Sequence, residues 1–463
     1  MLFASLPFLY IFLPACLLLY FVTPTLKAKN VVLTMLSLIF YAFGEPMWVL
    51  LLAVSSLVDY VNGIIIVKNR GTWIPKAALV ASLVINIGLL ASFKYLNFLF
   101  GTLGLLLNTE MPVSSLVMPI GISFYTFQTL SYTIDVYRGK AEMQKSFMTF
   151  LLFVSLFPQL IAGPILRYTD LAQQLEHRRH TINGTAEGLT RFLFGLGKKT
   201  LIANFAGQTA DTILRGDLGE ASALAVWLGV LCYAFQIYFD FSGYSDMAIG
   251  LGKIFGFQMK ENFKYPYVSR SITDFWRRWH ISLGQFFRDY VYIPLGGNRK
   301  YQLRNILVVW LLTGLWHGAS WNFVLWGLYY GILLIIEKYV VRKVFPKLHT
   351  RIAMMPVTFF FTLLGWVLFY FTDVSNAFEA YKAMFGIGHA WSGEAAVIHL
   401  KNNIPLIIIA LIGGTPIPKT LSFAFKGRPA KAVLTAAAGL ALLILSTVAL
   451  AGDSYNPFLY FRF

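Results

Sequence analysis

A histidine in the middle of a long apolar run is the first residue here whose placement asks for chemistry. His317 lies in "TGLWHGASWNF" (313–323), inside the longer run "NILVVWLLTGLWHGASWNFVLWGLYYGILLIIEK". As one helix from Asn305 to Lys338 that run would be about 50 Å long, against a hydrocarbon thickness of about 30 Å. One straight span does not fit. Gly314 and Gly318 flank His317, so a break there would set the imidazole at a helix discontinuity beside backbone groups and cavity water. On a continuous helix Thr313, His317 and Ser320 would instead share one stripe, and Trp316 joins them as a candidate cavity-lining residue. A packing histidine is the plainer reading of the same spacing, although ionisable residues inside a membrane are functional by default.

A second histidine sits in "SRSITDFWRRWHISLGQFFRDYVYIPLGGNRK" (269–300). Ser271 and Asp274 form a capping-box-like start, with Asp in place of the commoner Glu or Gln, and Pro294 with Gly296 and Gly297 ends the segment. Helical spacing puts Phe275, Trp279, Leu283, Phe286 and Tyr290 on one face and Arg277, Arg278, Gln285, Arg288 and Asp289 on the other. That pattern predicts an interfacial amphipathic helix. His280 falls at the border of the apolar face, where it would line a cavity or snorkel to the interface. Arg277, Arg278, Arg299 and Lys300 put the segment on the cytosolic side, facing anionic lipid or a phosphate-bearing donor.

In a third run, "CYAFQIYFDFSGYSDMAIGLG", the polar residues are Gln236, Asp240, Ser242 and Asp246. Gln236, Asp240 and Gly243 share a helical face while Asp246 points elsewhere, so a kink at Ser242–Gly243 is expected. A buried carboxylate needs a partner: a histidine to orient, an arginine of the amphipathic segment, or a structural ion pair. Signatures of other chemistries are missing. There is no G-x-S-x-G, Walker A, G-x-G-x-x-G or H-E-x-x-H, and "HRRH" (His177, His180) lacks a further ligand, so no metal is expected. Cys16 and Cys232 lie in apolar runs and imply neither a disulfide scaffold nor a thiolate site. What remains is a membrane-embedded neutral imidazole, able to take a proton from an alcohol near pH 7 and return it to a leaving thiolate.

The elements that must position these residues are membrane helices. Of 463 residues, 57% are hydrophobic and 13% charged, and the mean hydropathy of +0.65 lies outside the range of soluble domains. Spans are predicted near 5–23, 31–44, 47–66, 77–93 and 116–137, with further runs at 188–203, 222–250, 305–336, 352–372, 404–413 and 432–451. About ten to twelve spans result, in a single membrane domain, 1–463, without repeats. The first run lacks a basic n-region and a cleavage site and reads as a retained span. Loops alternate in charge, with Lys27 and Lys29, then Glu45, then Lys68, Arg70 and Lys76, then an uncharged stretch with Asn108 and Glu110, then Arg138, Lys140 and Lys145. The N-terminus is therefore expected outside. "FMTFLLFVSLFPQLIAGP" should then exit outward, yet Arg167, Arg178 and Arg179 follow it; a re-entrant segment broken at Pro158 or at Gly163–Pro164 resolves the conflict. Positive-inside anchoring accounts for the net charge of +17, and no nucleic-acid partner is indicated.

At this point the chain resembles a known family, the membrane-bound O-acyltransferases, and most closely their alginate O-acetyltransferase branch. The resemblance is carried over nearly the whole chain by "GISFYTFQTLSYTIDVYRG", "LFPQLIAGPI", "YFDFSGYSDMAIGLGKIFGF", "NFKYPYVSRSITDFWRRWHISLGQFFRDYVYIPLGGNR", "GLWHGASWNFVLWG" and the terminal "SYNPFLYFRF". It implies a ring of tilted helices, with re-entrant and interfacial ones, around a buried histidine tunnel that joins a cytosolic donor site to an outward-facing funnel. It also implies His317 as the catalytic histidine, His280 as the family's second histidine, and a multi-pass place in a bacterial plasma membrane. Acetyl-CoA would be the donor substrate with no bound cofactor, a polysaccharide hydroxyl the ultimate acceptor, and an extracytoplasmic protein a partner. Gln236, Asp240, Ser242, Asp246, Thr313, Trp316 and Ser320 would then line the tunnel, and Arg277, Arg278 and Lys300 would hold the donor's charged end.

Two other readings compete: a related enzyme taking D-alanine from a carrier protein to teichoic acid, and a transporter whose broken helix lines a permeation path. The charge pattern makes its own prediction. With Cys16 and Cys232 replaced, single cysteines in the 68–76 loop and in 295–304 should resist impermeant thiol reagents in intact cells; labelling from outside reverses the assigned sidedness.

Overall fold

The computed structural model describes residues 1–161, 163–348, 351–424, 429–452 and 455–459. Every regular element among them is helical, the arrangement in which an apolar chain satisfies its own backbone groups in hydrocarbon. Six helices are long and apolar enough to cross a membrane: Trp48–Lys68, Ile74–Lys94, Ala223–Ile254, Trp321–Val344, Glu394–Gly413 and Ala430–Gly452. Shorter apolar helices span Phe8–Val22, Leu96–Leu107 and Met354–Tyr370. The chain is a multi-pass membrane protein whose described residues fall into two compact units.

The first unit comprises Met1–Phe192 and Asp246–Lys260. Its helices Trp48–Lys68, Ile74–Lys94 and Ile122–Tyr137 pack together. Gly63 permits this: a Cβ there would lie 2.4 Å from the Tyr132 hydroxyl. The 147–164 run, expected to break at Pro158 or at Gly163–Pro164, is interrupted at Leu156, between helices Phe147–Ser155 and Phe157–Leu160. Pro158 lies in the first turn of the second helix, where its missing N–H leaves nothing unsatisfied. Residues 96–107, expected as an external stretch, form a helix ended by Asn108 in the left-handed conformation. The predicted 116–137 span is helical only from Ile122, after Gly121 at φ +79°. The "HRRH" pair has a structural use. His180 Nε2 lies 2.8 Å from the Tyr20 hydroxyl and Arg178 Nε donates to the Phe255 carbonyl at 2.9 Å.

The second unit comprises Leu193–Ser245 and Glu261–Phe463. The 305–336 run divides into an antiparallel hairpin of Gln302–His317 and Trp321–Ile336. The break sits at Gly318, whose backbone is extended. Gly314 does not break the helix. It allows the hairpin arms to touch backbone to backbone: a Cβ on Gly314 would lie 2.2 Å from the Phe323 carbonyl oxygen, and one on Gly327 2.4 Å from that of Trp310. Because the helix ends at His317, the stripe of Thr313, His317 and Ser320 does not form.

Three further expectations change. Ala223–Ile254 is one unbroken helix with no interruption at Ser242–Gly243; a Cβ on Gly243 would fall 2.8 Å from the Gly195 carbonyl, so this glycine serves close packing. The 269–300 segment is not one amphipathic helix: Ile272–Arg278 and Ile281–Phe287 are parted at Trp279–His280, and the second runs on as the π-helical stretch Arg288–Tyr292. The span expected at 404–413 begins earlier, as Glu394–Gly413.

The hairpin contact is testable. Gly314→Val should destabilise the purified protein by about 1–3 kcal/mol or more, through overpacking against main chain that cannot yield. Gly331→Ala, whose new methyl would meet only the Leu307 side chain at 3.3 Å and Trp310 at 3.4 Å, should change the melting temperature far less. Equal melting of the two variants contradicts the backbone contact.

Candidate active site

His317 ends helix Gln302–His317 and is buried. Its ring meets Trp316, Trp326 and Phe369 nearly edge-on, with centroids 4.9, 5.1 and 5.0 Å away. It lines an enclosed cavity of about 30 Å³ together with Phe241, Trp279, Trp366, Phe369 and Asp240. That volume holds a water molecule and little more. The Trp326 ring also lines it, and the indole N–H of Trp326 is buried without a protein partner among the described residues. A free donor beside an imidazole in an apolar wall is a place where developing negative charge would be strongly stabilised.

Asp240 is the acid of this wall, and it is paired. Lys199 Nζ lies 2.7 Å from Oδ1, both side chains being almost wholly buried. Its Oδ2 accepts the Leu459 N–H at 3.0 Å, and Lys199 also donates to the Pro457 carbonyl. The terminal segment is held again by Asn204 Nδ2 to Asn456 Oδ1 at 3.2 Å and by the Tyr455 hydroxyl to Asp211 Oδ2 at 2.9 Å. Phe458 and Leu459 thereby close one side of the cavity. Residues 454 and 460–463 of the terminal motif lie outside the described residues. Gln236 reaches the Tyr455 hydroxyl at 3.5 Å. Ser242 is buried but does not line the cavity. Asp246 belongs to the first unit, where Arg191 donates to it at 2.8 and 3.0 Å.

His280 owes its position to Asn262. The Asn262 Oδ1 accepts from the Ser282 N–H at 3.2 Å and hydroxyl at 2.9 Å and lies 3.2 Å from His280 Nδ1. Main-chain bonds from Ile281 N–H to the Asn262 carbonyl and from Lys264 N–H to the Arg278 carbonyl, each 2.9 Å, replace the helical bonds lost at the break. His280 sits there at φ +44°, a left-handed conformation that costs a non-glycine residue about 1–2 kcal/mol. Such strain persists where the surroundings over-determine it. With Nδ1 committed, Nε2 is buried and has no hydrogen-bond partner among the described residues. Burial drives this imidazole down to about 3, so it is neutral at neutral pH.

His280 lines a second, larger cleft of about 440 Å³ with Thr273, Arg277, Arg288, Trp310 and Thr313. Trp279 lines both cavities, and the Trp316 ring lies 5.7 Å from His280 and 4.9 Å from His317. Of the three cations expected to act together, Arg277 faces the cleft. Arg278 is turned to Asp274 at 2.9 Å, and Lys300 does not line the cleft. Thr313 faces the His280 side, and the Ser320 hydroxyl donates to the Thr372 carbonyl at 3.5 Å. Sequence reasoning passed over Arg288 as a cleft residue, and Asn262, Lys199 and Trp326 altogether. Lys199 carried a usable signal, a charge inside the apolar 188–203 run; Asn262 and Trp326 carried none beyond residue type. Among the described residues no group of three His, Cys, Asp or Glu is placed to hold a metal ion.

Comparison with known proteins bears on this geometry. The sequence model of the membrane-bound O-acyltransferase family matches residues 137–378, which include both histidines. The chain is similar from end to end to "Probable alginate O-acetylase AlgI" of Azotobacter vinelandii, 38% identical with all of both chains covered. It is also similar to "Peptidoglycan O-acetyltransferase" of Helicobacter pylori, 33% identical over 98% of this chain and 96% of that one. "Teichoic acid D-alanyltransferase" of Bacillus subtilis is 29% identical over 56% of this chain and 70% of its own. A match across more than half of the sequence, joined to full-length relatives, means that this chain belongs to the membrane-bound O-acyltransferase family.

Proposed function

We propose that this protein moves an acetyl group from a cytosolic thioester, acetyl-CoA, toward a hydroxyl of a polysaccharide outside a bacterial plasma membrane, with His317 as general base. One observation supports this most: a buried imidazole at a helix end, facing an enclosed aromatic cavity, in a chain whose full-length relatives carry the names of alginate and peptidoglycan O-acetylating enzymes. The teichoic acid relatives cover little more than half of the chain, which weighs against a carrier-protein donor.

In this reading an acceptor hydroxyl attacks the thioester carbonyl while His317 takes its proton. A C–O bond forms, the C–S bond of the tetrahedral intermediate breaks, and the imidazolium returns the proton to the leaving thiolate. The unpartnered Trp326 N–H is the candidate oxyanion donor. A cavity of about 30 Å³ is too small for that intermediate, so the aromatic wall parts during turnover, with Trp279 and Trp316 between the two histidines. The phosphates of CoA cannot enter hydrocarbon. The cleft at Arg277 and Arg288 suits them, and the pantetheine arm would run past His280. An extracytoplasmic partner would complete transfer to the polymer.

The test uses purified protein in nanodiscs with labelled acetyl-CoA and a glycan acceptor. His317→Ala should bind donor normally and lose about 10²–10⁴-fold in turnover; normal turnover removes the general-base assignment. Trp326→Phe, which removes the indole N–H along with part of the ring, should lower kcat by about 10²–10³-fold with donor affinity kept, and an unchanged kcat excludes Trp326 as oxyanion donor. Arg277→Gln should weaken donor binding and flatten its dependence on salt. If no acetyl-CoA binds but a carrier-protein thioester does, the D-alanyl-type reading replaces this one.

A further inference from the structure

The acyl group of the donor has to end beside His317, and the space open to it there is the enclosed cavity of about 30 Å³. Apart from Asp240 and His317, every described residue lining that cavity is aliphatic or aromatic. Ile237 and Phe241 come from helix Ala223–Ile254, Trp366 and Phe369 from helix Met354–Tyr370, and Phe458 and Leu459 from the terminal segment. These walls are braced from behind. The Trp366 indole N–H donates to the Tyr267 hydroxyl at 3.2 Å, and that hydroxyl donates to the Ala234 carbonyl at 2.6 Å. The Trp366 ring packs 4.9 Å from Trp279 and 5.5 Å from Phe369. Leu459 is tied by its N–H to Asp240, which Lys199 holds in turn.

Of the residues lining the cavity, only Trp279 also lines the cleft at Arg277 and Arg288. An acyl group coming from that cleft therefore enters past Trp279, and the braced walls bound it elsewhere. A methyl group is about the size of a water molecule and fits such a space. A further methylene has to displace rings and alkyl groups already in contact, which in an apolar pocket is worth about 10–200-fold in kcat/KM. We propose, on the acyl-transfer reading above, that this cavity seats the methyl of the acyl group and that Ile237, Phe369 and Leu459 limit the donor to a two-carbon acyl chain. With the methyl seated, the thioester carbonyl stands at the mouth beside His317 and Trp326, and the sulfur and pantetheine arm lead out past Trp279. The parting that the tetrahedral intermediate requires then falls on the Trp279 side, and the walls that measure the acyl chain keep their places.

The test reads a ratio of donors. Full-length protein in nanodiscs is given acetyl-CoA, propionyl-CoA or butyryl-CoA with one and the same glycan acceptor, and kcat/KM is taken from the release of CoA. The wild type should favour acetyl over propionyl by about 10–200-fold. Ile237→Val removes one methyl from the wall, matching the methylene that propionyl adds, and should lower that ratio about tenfold or more. Leu459→Ala opens a wall from a different segment and should admit butyryl-CoA as well; where it does not fold, Ile237→Val decides. Ile249→Val makes the same deletion on the same helix but in the first unit, away from the cavity, and should keep the wild-type ratio. A wild-type ratio near one overturns the proposal, as does an unchanged ratio in Ile237→Val or an equal loss of selectivity in Ile249→Val. Acetyl transfer with any of these results leaves the acyl-transfer reading standing and removes the size limit alone. No release of CoA from any of the three thioesters in the wild type overturns both.

Discussion

A peptide group without a partner at membrane depth costs several kcal/mol, and this constraint governs where the helices of this protein are allowed to stop. Two of the breaks are matched by a buried polar side chain that takes over the lost bonds, whereas after Gly318 the second hairpin arm starts without a side-chain cap. At Leu156 the Ser37 hydroxyl accepts the Phe157 N–H at 3.2 Å and the Gln159 amide donates to the Phe153 carbonyl at 2.6 Å. At Trp279–His280 the substitute is Asn262. Where the terminal segment runs without a helix, the substitutes are Asp240 and Lys199. The last two also border the cavities that hold the histidines, so irregular backbone is concentrated where side chains must be aimed into a cavity.

The hydrophobic runs made the helical class, the membrane setting and the break near His317 legible, because each follows from local apolar length and glycine position. Partners distant in sequence were not legible. Nothing around Asp240 announces Lys199, forty-one positions earlier, and the spacing of 271–290 reads as one amphipathic helix because its period is intact. What breaks that helix is Asn262, upstream of the segment, offering better bonds to Ile281 and Ser282 than the preceding turn would. Gly314 and Gly243 misled in the same way. Within a run, a glycine marks either a break or a close approach, and only the facing backbone decides between them.

The same packing that sets His280 in place also fixes its charge state. His280 has one nitrogen against an amide oxygen and the other in an apolar pocket, so its proton affinity falls far below neutrality. It does not act as a charge switch near pH 7. Its uses are those of a neutral ring: filling space against Phe241 at 4.7 Å and Trp316 at 5.7 Å, and offering one nitrogen to whatever passes. His317 sits in an aromatic wall as well, with Trp316, Trp326 and Phe369 edge-on to its ring.

The two buried aspartates illustrate the alternatives open to an acid in such surroundings. Asp240 has a lysine at 2.7 Å and a main-chain N–H at 3.0 Å, so its charge is answered within the protein and its work is to hold Leu459 against the cavity. Asp59 has hydroxyls and an amide but no ion pair among the described residues. Hydrogen bonds orient a carboxylate and stabilise it in part, yet they bring no opposite charge, and in hydrocarbon the difference is large. An acid kept halfway through a span without a counter-ion of its own is accommodated by polar neighbours from two further helices that leave none of its oxygens without a partner.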